Sequence, residues 1–137
     1  MKRLKKSLAI LGIAILCAPS AFANDVAITQ AKLDRASNGS YSFSVTLLHD
    51  DSGWKHYADK WQVLDSAGNI IGERVLLHPH EDEQPFTRSA SGIVIPEGET
   101  TLFIRAHDLV HGWNEQTLKI DLSQLSERGK LTVRAEE

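Results

Sequence analysis

The chain has 137 residues, 18 Asp+Glu against 15 Lys+Arg, a net charge of −3, one cysteine and one methionine. Both sulfur residues, Met1 and Cys17, fall within the first 17 positions, so the body of the chain excludes a thiol nucleophile, a disulfide and any metal site built on sulfur. Its acidic balance argues against nucleic acid and against docking on anionic lipid.

The first 23 residues read as a secretory signal peptide. Lys2, Arg3, Lys5 and Lys6 form a positive start, residues 8 to 16 an apolar run too short to span a bilayer, and Ala21-Phe22-Ala23 a small-residue cleavage site. The cut is expected before Asn24. An uncleaved anchor is disfavoured by the short apolar run, and a lipid-bearing Cys17 by the bulky Leu16 before it. Loss of the four leader cations leaves 11 basic residues against 18 acidic ones in a body of 114 residues, net −7. That length suits a single domain. The expected destination is the periplasm, with no membrane contact after cleavage.

Residues 24 to 122 carry short segments of period-two alternation between turn signals. Residues 26 to 33 alternate from Val26 and Ile28. After Asn38-Gly39, Tyr41, Phe43, Val45 and Leu47 share one face and Ser42, Ser44 and Thr46 the other. Residues 61 to 64 and 70 to 77 flank a turn at Ser66-Ala67-Gly68-Asn69, and residues 86 to 95 hold one or two strands. Residues 101 to 107 set Leu102, Ile104 and Ala106 against Thr101, Phe103 and Arg105. Residues 116 to 122 align Leu118, Ile120 and Leu122. About seven strands without a helix predict an all-β, immunoglobulin-like antiparallel β-sandwich. Phe43, Val45, Leu47, Trp61, Val63, Leu102, Ile104 and Ile120 are its expected core. Residues 123 to 137 read as a tail or a last edge strand.

All six histidines lie between His49 and His111, each at a strand end or in the loop after it, where a rigid scaffold carries functional groups. His49 continues the core-facing parity of residues 41 to 47 and is the one most expected to be structural. His56 follows in a loop. His78 and His80 flank Pro79; the proline extends the residue before it, and two residues two apart on extended chain share a side, which suits a chelating pair. Glu81 and Glu83 follow at once, and Asp108 sits between His107 and His111. These three carboxylates are candidates to orient imidazoles. The expected site therefore draws on His78, His80, His107, His111, His56 and His49, with the 78/80 pair at its centre. Without sulfur it would suit copper(II), zinc, nickel or iron. For any single loop histidine, a backbone hydrogen bond or an aromatic neighbour is the simpler role.

His56-Tyr57 with Trp61, and Asp108-Leu109-Val110-His111-Gly112-Trp113, are similar to elements of the iron-binding domain of superoxide reductases, the desulfoferrodoxin and neelaredoxin family. The resemblance spans roughly residues 49 to 113. It implies an immunoglobulin-like fold and a pairing of His56 with His111, with His49 as an earlier histidine. Asp108 stands where that family has its cysteine ligand, so the resemblance does not extend to the family's activity.

Three functions follow as expectations. The first is a periplasmic protein that handles or delivers a transition metal, in contact with the ion and with another periplasmic protein. The second is a metal-dependent redox enzyme related to superoxide reductase. The third is a metal-free binding module using Trp54, Trp61 and Trp113. No nucleophile elbow, serine triad or phosphate loop marks an enzyme of another kind.

Overall fold

The computed structural model describes residues 25 to 136. The leader, its cleavage site and Cys17 lie outside them. Among the described residues nine strands form in chain order: β1 (Ala27–Arg35), β2 (Tyr41–Leu48), β3 (Ala58–Leu64), β4 (Ile70–Val75), β5 (Phe86–Ile93), β6 (Thr101–Asp108), β7 (Gly112–Trp113), β8 (Leu118–Asp121) and β9 (Lys130–Arg134). A 3-10 turn at Leu122–Gln124 follows β8, and there is no α-helix among the described residues. No helix among them is long and apolar enough to cross a membrane.

The strands make two antiparallel sheets. One runs β5-β2-β1-β9; the other runs β4-β3-β6-β7, with β8 also on β6. The expected count of about seven is exceeded by two, and the reason is length. β7 has two residues, too few for a visible alternation. β9 follows Gly129 with half-buried Leu131 and Val133, a weak apolar row that pairs with the edge of β1.

Each sheet turns a row of apolar side chains into one common core. Phe43, Val45 and Leu47 come from β2, Trp61 and Val63 from β3, Leu102 and Ile104 from β6, and Ile120 from β8; all are fully buried. Each large apolar side chain so placed stabilises by about 1.5–3 kcal/mol. On the opposite face of β2, Ser44 meets Ser89 and Thr46 meets Thr87 across the β2–β5 pairing, hydroxyl to hydroxyl at 2.7 Å, side-chain pairs that help set register. β1 shifts register between Ile28 and Gln30. That irregularity moves the buried row from Val26 and Ile28 to Ala31 and Leu33, so the strand keeps its apolar side inward although its alternation breaks.

Candidate metal centre

Two core rows end in polar residues, one just past its strand and one at the last residue of it. The β2 row of Phe43, Val45 and Leu47 continues to His49, and the β6 row of Leu102, Ile104 and Ala106 continues to Asp108. Because period-two parity carries over, both side chains point inward and cap the core instead of facing solvent. His49 is 3 % exposed and Asp108 1 %. His49 Nε2 and Asp108 Oδ2 face each other at 3.7 Å.

The loop after β2 brings the next group. Asp51, two residues beyond His49, is buried and accepts three hydrogen bonds: His49 Nδ1 at 2.5 Å, the Ala58 amide at 3.1 Å and the His80 amide at 2.7 Å. A carboxylate at Nδ1 fixes the orientation of the ring and turns Nε2 toward Asp108. This is the way carboxylates orient metal-binding histidines. The Ser52 and His56 amides close a turn onto the His56 and Gly53 carbonyls. The turn folds the His56 ring back over the site, with Nε2 3.5 Å from Asp108 Oδ1.

The turn between β6 and β7 supplies the rest. Asp108 Oδ1 accepts the Val110 amide at 2.9 Å and the His111 amide at 2.7 Å, with His111 Nδ1 at 3.1 Å. Gly112, at φ 77°, allows the tight return that pairs it with Asp108. The rings of His49 and His56, and those of His56 and His111, each lie 5.0 Å apart between centroids.

The electrostatics of this end are unbalanced. Burial pushes the Asp108 carboxyl up, but the His111 and Val110 amides and the His111 and His49 imidazoles outweigh it, so the carboxyl lies below its ordinary value and is ionised at neutral pH. Oδ1 takes every donor. Oδ2 is buried with no hydrogen bond among the described residues, and so is His56 Nε2. Such an ionised oxygen is costly unless a cation meets it. Ligand atoms of His49, His56 and Asp108 lie within 4.8 Å of one another, and those of Asp25, Asp108 and His111 do likewise. Either group could hold an ion.

The remaining candidates stand elsewhere. His78 and His80 share a side, their rings 4.5 Å apart, along an open groove of about 460 Å³ lined by Trp54 and residues 78 to 83. His80 is buried, stacked on Phe86 at 3.9 Å, and takes Arg88 Nη2 on Nε2 at 3.0 Å. Guanidinium only donates, so the neutral ring keeps its proton on Nδ1. Burial, then Arg88 and His78, push the His80 pKa down against the pull of Asp51 and Glu83. His78 is exposed, with Nδ1 3.0 Å from the Pro79 carbonyl. Glu81 and Glu83 are exposed, and Glu83 lies 3.6 Å from Arg88. His107 has the opposite parity to Asp108. On the outer face of β6 it meets Asp59 at 2.6 Å and the edge of Trp113, over which Arg105 stacks at 3.9 Å.

Sequence reasoning gave Asp108 only a supporting part and missed Asp51, Asp25, Asp59 and Arg88. For Asp108 and Asp51 a signal existed: each extends a core-facing row by one more step of two. Of the tryptophans, Trp61 is fully buried core, while Trp54 is exposed.

No family model matches the chain, and no solved structure matches it. A protein of Halomicrobium mukohataei described as "Putative lipoprotein" is 46% identical over 94 residues, 69% of this chain and 46% of that protein. The chain thus spans about half the length of the relative it matches.

Proposed function

We propose that this is an exported, immunoglobulin-like β-sandwich that binds one transition-metal ion through His49, His56 and Asp108, with His111 alongside, and that it handles or delivers that ion in the periplasm together with another periplasmic protein. The observation that carries the reading is the buried, ionised Asp108 Oδ2, which lacks a hydrogen bond among the described residues and faces His49 Nε2 at 3.7 Å. A cation between them resolves the conflict. Imidazole nitrogen with carboxylate oxygen suits zinc, copper(II), nickel or ferrous iron. Arg88 on His80 Nε2 favours this cluster over the 78/80 pair as the primary site. The relative's printed description fits export, and it also supports a second form of export in which Cys17 carries a lipid.

The superoxide reductase reading remains as a second function. It is favoured by the nearness of the His56 and His111 rings, whereas Asp108 in place of that family's cysteine ligand speaks against it. Calorimetry and metal analysis on tag-free protein test the first reading. Binding tighter than about 10 μM, about −6.8 kcal/mol, is expected for one of these ions and lost in His49→Ala. Retention of that affinity in His49→Ala, or no such binding in the parent protein, overturns it. Superoxide consumption by the iron-loaded protein would favour the second.

A further inference from the structure

Asp25 is the first described residue, and the fold holds it at the same end as the metal centre. Val26 beside it is buried, and its carbonyl accepts Asn114 Nδ2 at 3.0 Å. Asn114 Oδ1 also accepts the Ala106 amide at 3.0 Å, two residues before Asp108. One buried amide side chain thus ties the start of β1 to the end of β6. The ligand atoms of Asp25, Asp108 and His111 come within 4.8 Å of one another. Asp108, whose buried Oδ2 has no hydrogen bond among the described residues, belongs to this group as well as to the group with His49 and His56. The His56 and His111 rings, one from each group, are 5.0 Å apart.

We propose that Asp25 donates a carboxylate oxygen to the ion bound by His49, His56 and Asp108, so that the entering end of the chain closes the site. The inference rests on the function proposed above and adds to it a coordination number. The two groups share Asp108 and stand apart as sets at 4.8 Å, so it is by closing on one ion that they, with His111, supply three imidazole nitrogens and two carboxylate oxygens. Five such donors plus one water suit a divalent first-row ion of octahedral preference rather than a tetrahedral or square-planar one. Metal binding then fixes the chain just before β1, because one of its ligands comes from there.

Cobalt(II) is the probe, since its d–d absorption is weak in six-coordinate sites and intense in tetrahedral ones. The parent protein should bind one cobalt ion with weak bands. Asp25→Ala should bind it at least about tenfold less tightly, about 1.4 kcal/mol, with stronger bands as the coordination number falls. Asp25→Asn, which keeps an oxygen donor, should lie between them. Cobalt should also slow amide exchange at residues 26 to 28 in the parent protein but not in Asp25→Ala. Identical spectra and affinity in the parent and Asp25→Ala, with binding still lost in His49→Ala, would overturn the role of Asp25 and leave the metal centre standing. Two ions per chain would also overturn it. Absence of cobalt binding in the parent protein would remove both readings.

Discussion

Asp108 and Asp51 are both buried carboxylates, yet their surroundings give them opposite parts. Asp51 has donors on both oxygens, from His49 and the Ala58 amide on one and from the His80 amide on the other. It joins three segments of chain. Among the described residues, Asp108 has all its donors on one oxygen and none on the other. Asp108→Asn, with its oxygen in place of Oδ1, keeps the amide acceptor and puts an NH₂ group opposite His49 Nε2. Metal-free stability should then fall, because the fold holds the Asp108 carboxyl below its ordinary value and so favours its charged form, while metal binding is lost. Urea melts and calorimetry on the same preparation check both halves, and a gain in stability or retained metal binding would contradict the account. Asp51→Ala strands two buried amides and should cost about 1–3 kcal/mol per group left unpaired. It should also weaken metal binding about 10–100-fold by freeing the His49 ring, as read from melts and metal titration.

Strands decide where such residues arrive. β2 and β6 each deliver a polar side chain to the end of the core simply by running one step of two further. β7, only two residues long, exists because Gly112 lets the chain return on β6. β9 depends on another glycine. Gly129 has φ 74°, its carbonyl accepts the Arg35 amide at 3.0 Å, and a Cβ there would press on Arg35 Cβ. Gly129→Ala therefore meets the left-handed penalty of about 1–2 kcal/mol together with a clash. Its effect should be local: faster amide exchange along β9 and its partner residues on β1, with metal affinity unchanged. Slower or unaltered exchange there would show that β9 does not depend on this turn.

For the molecule as a whole, acid and a bound metal ion are expected to act on stability in opposite directions. His80 has its pKa lowered by burial, Arg88 and His78. The unfolded chain takes up a proton near the ordinary value of about 6.5 while folded His80 stays neutral. The unfolded state thus holds more protons below that pH, and this contribution to stability falls as pH drops through about 6.5 toward the lower folded pKa. His80→Gln, which still offers Arg88 an acceptor, should flatten that part of the profile in denaturant melts taken from pH 7.5 to 5. A slope unchanged by the substitution would assign it to other groups. Metal should raise stability by about 2.7 kcal/mol at a free concentration one hundred times Kd. The gain should shrink as the pH drops, because imidazolium cannot ligate.

The two-sheet architecture and its core were legible in the sequence because strand parity is a local property. Tyr41 to Leu47 alternate by residue type, and the pleat turns that alternation into a buried row without reference to the rest of the chain. The same parity placed His49 inward. What the sequence could not give is which strand ends meet. His49 and Asp108 are 59 positions apart, and their approach depends on how the β2 and β6 rows are aligned across the core, which the pairings of both sheets set together. His78 and His80 had the clearest local signal, a proline-fixed spacing. What that spacing could not show is their tertiary surroundings, in which Phe86 and Arg88 from β5 occupy the face and one nitrogen of His80. Asp25 had no local signal at all. The pairing of Ala27 with Leu48, together with Asn114 reaching across 88 positions to the Val26 carbonyl, brings it to that end of the sandwich. Local chemistry fixed the faces of the strands, and long-range packing chose which of those faces share a site.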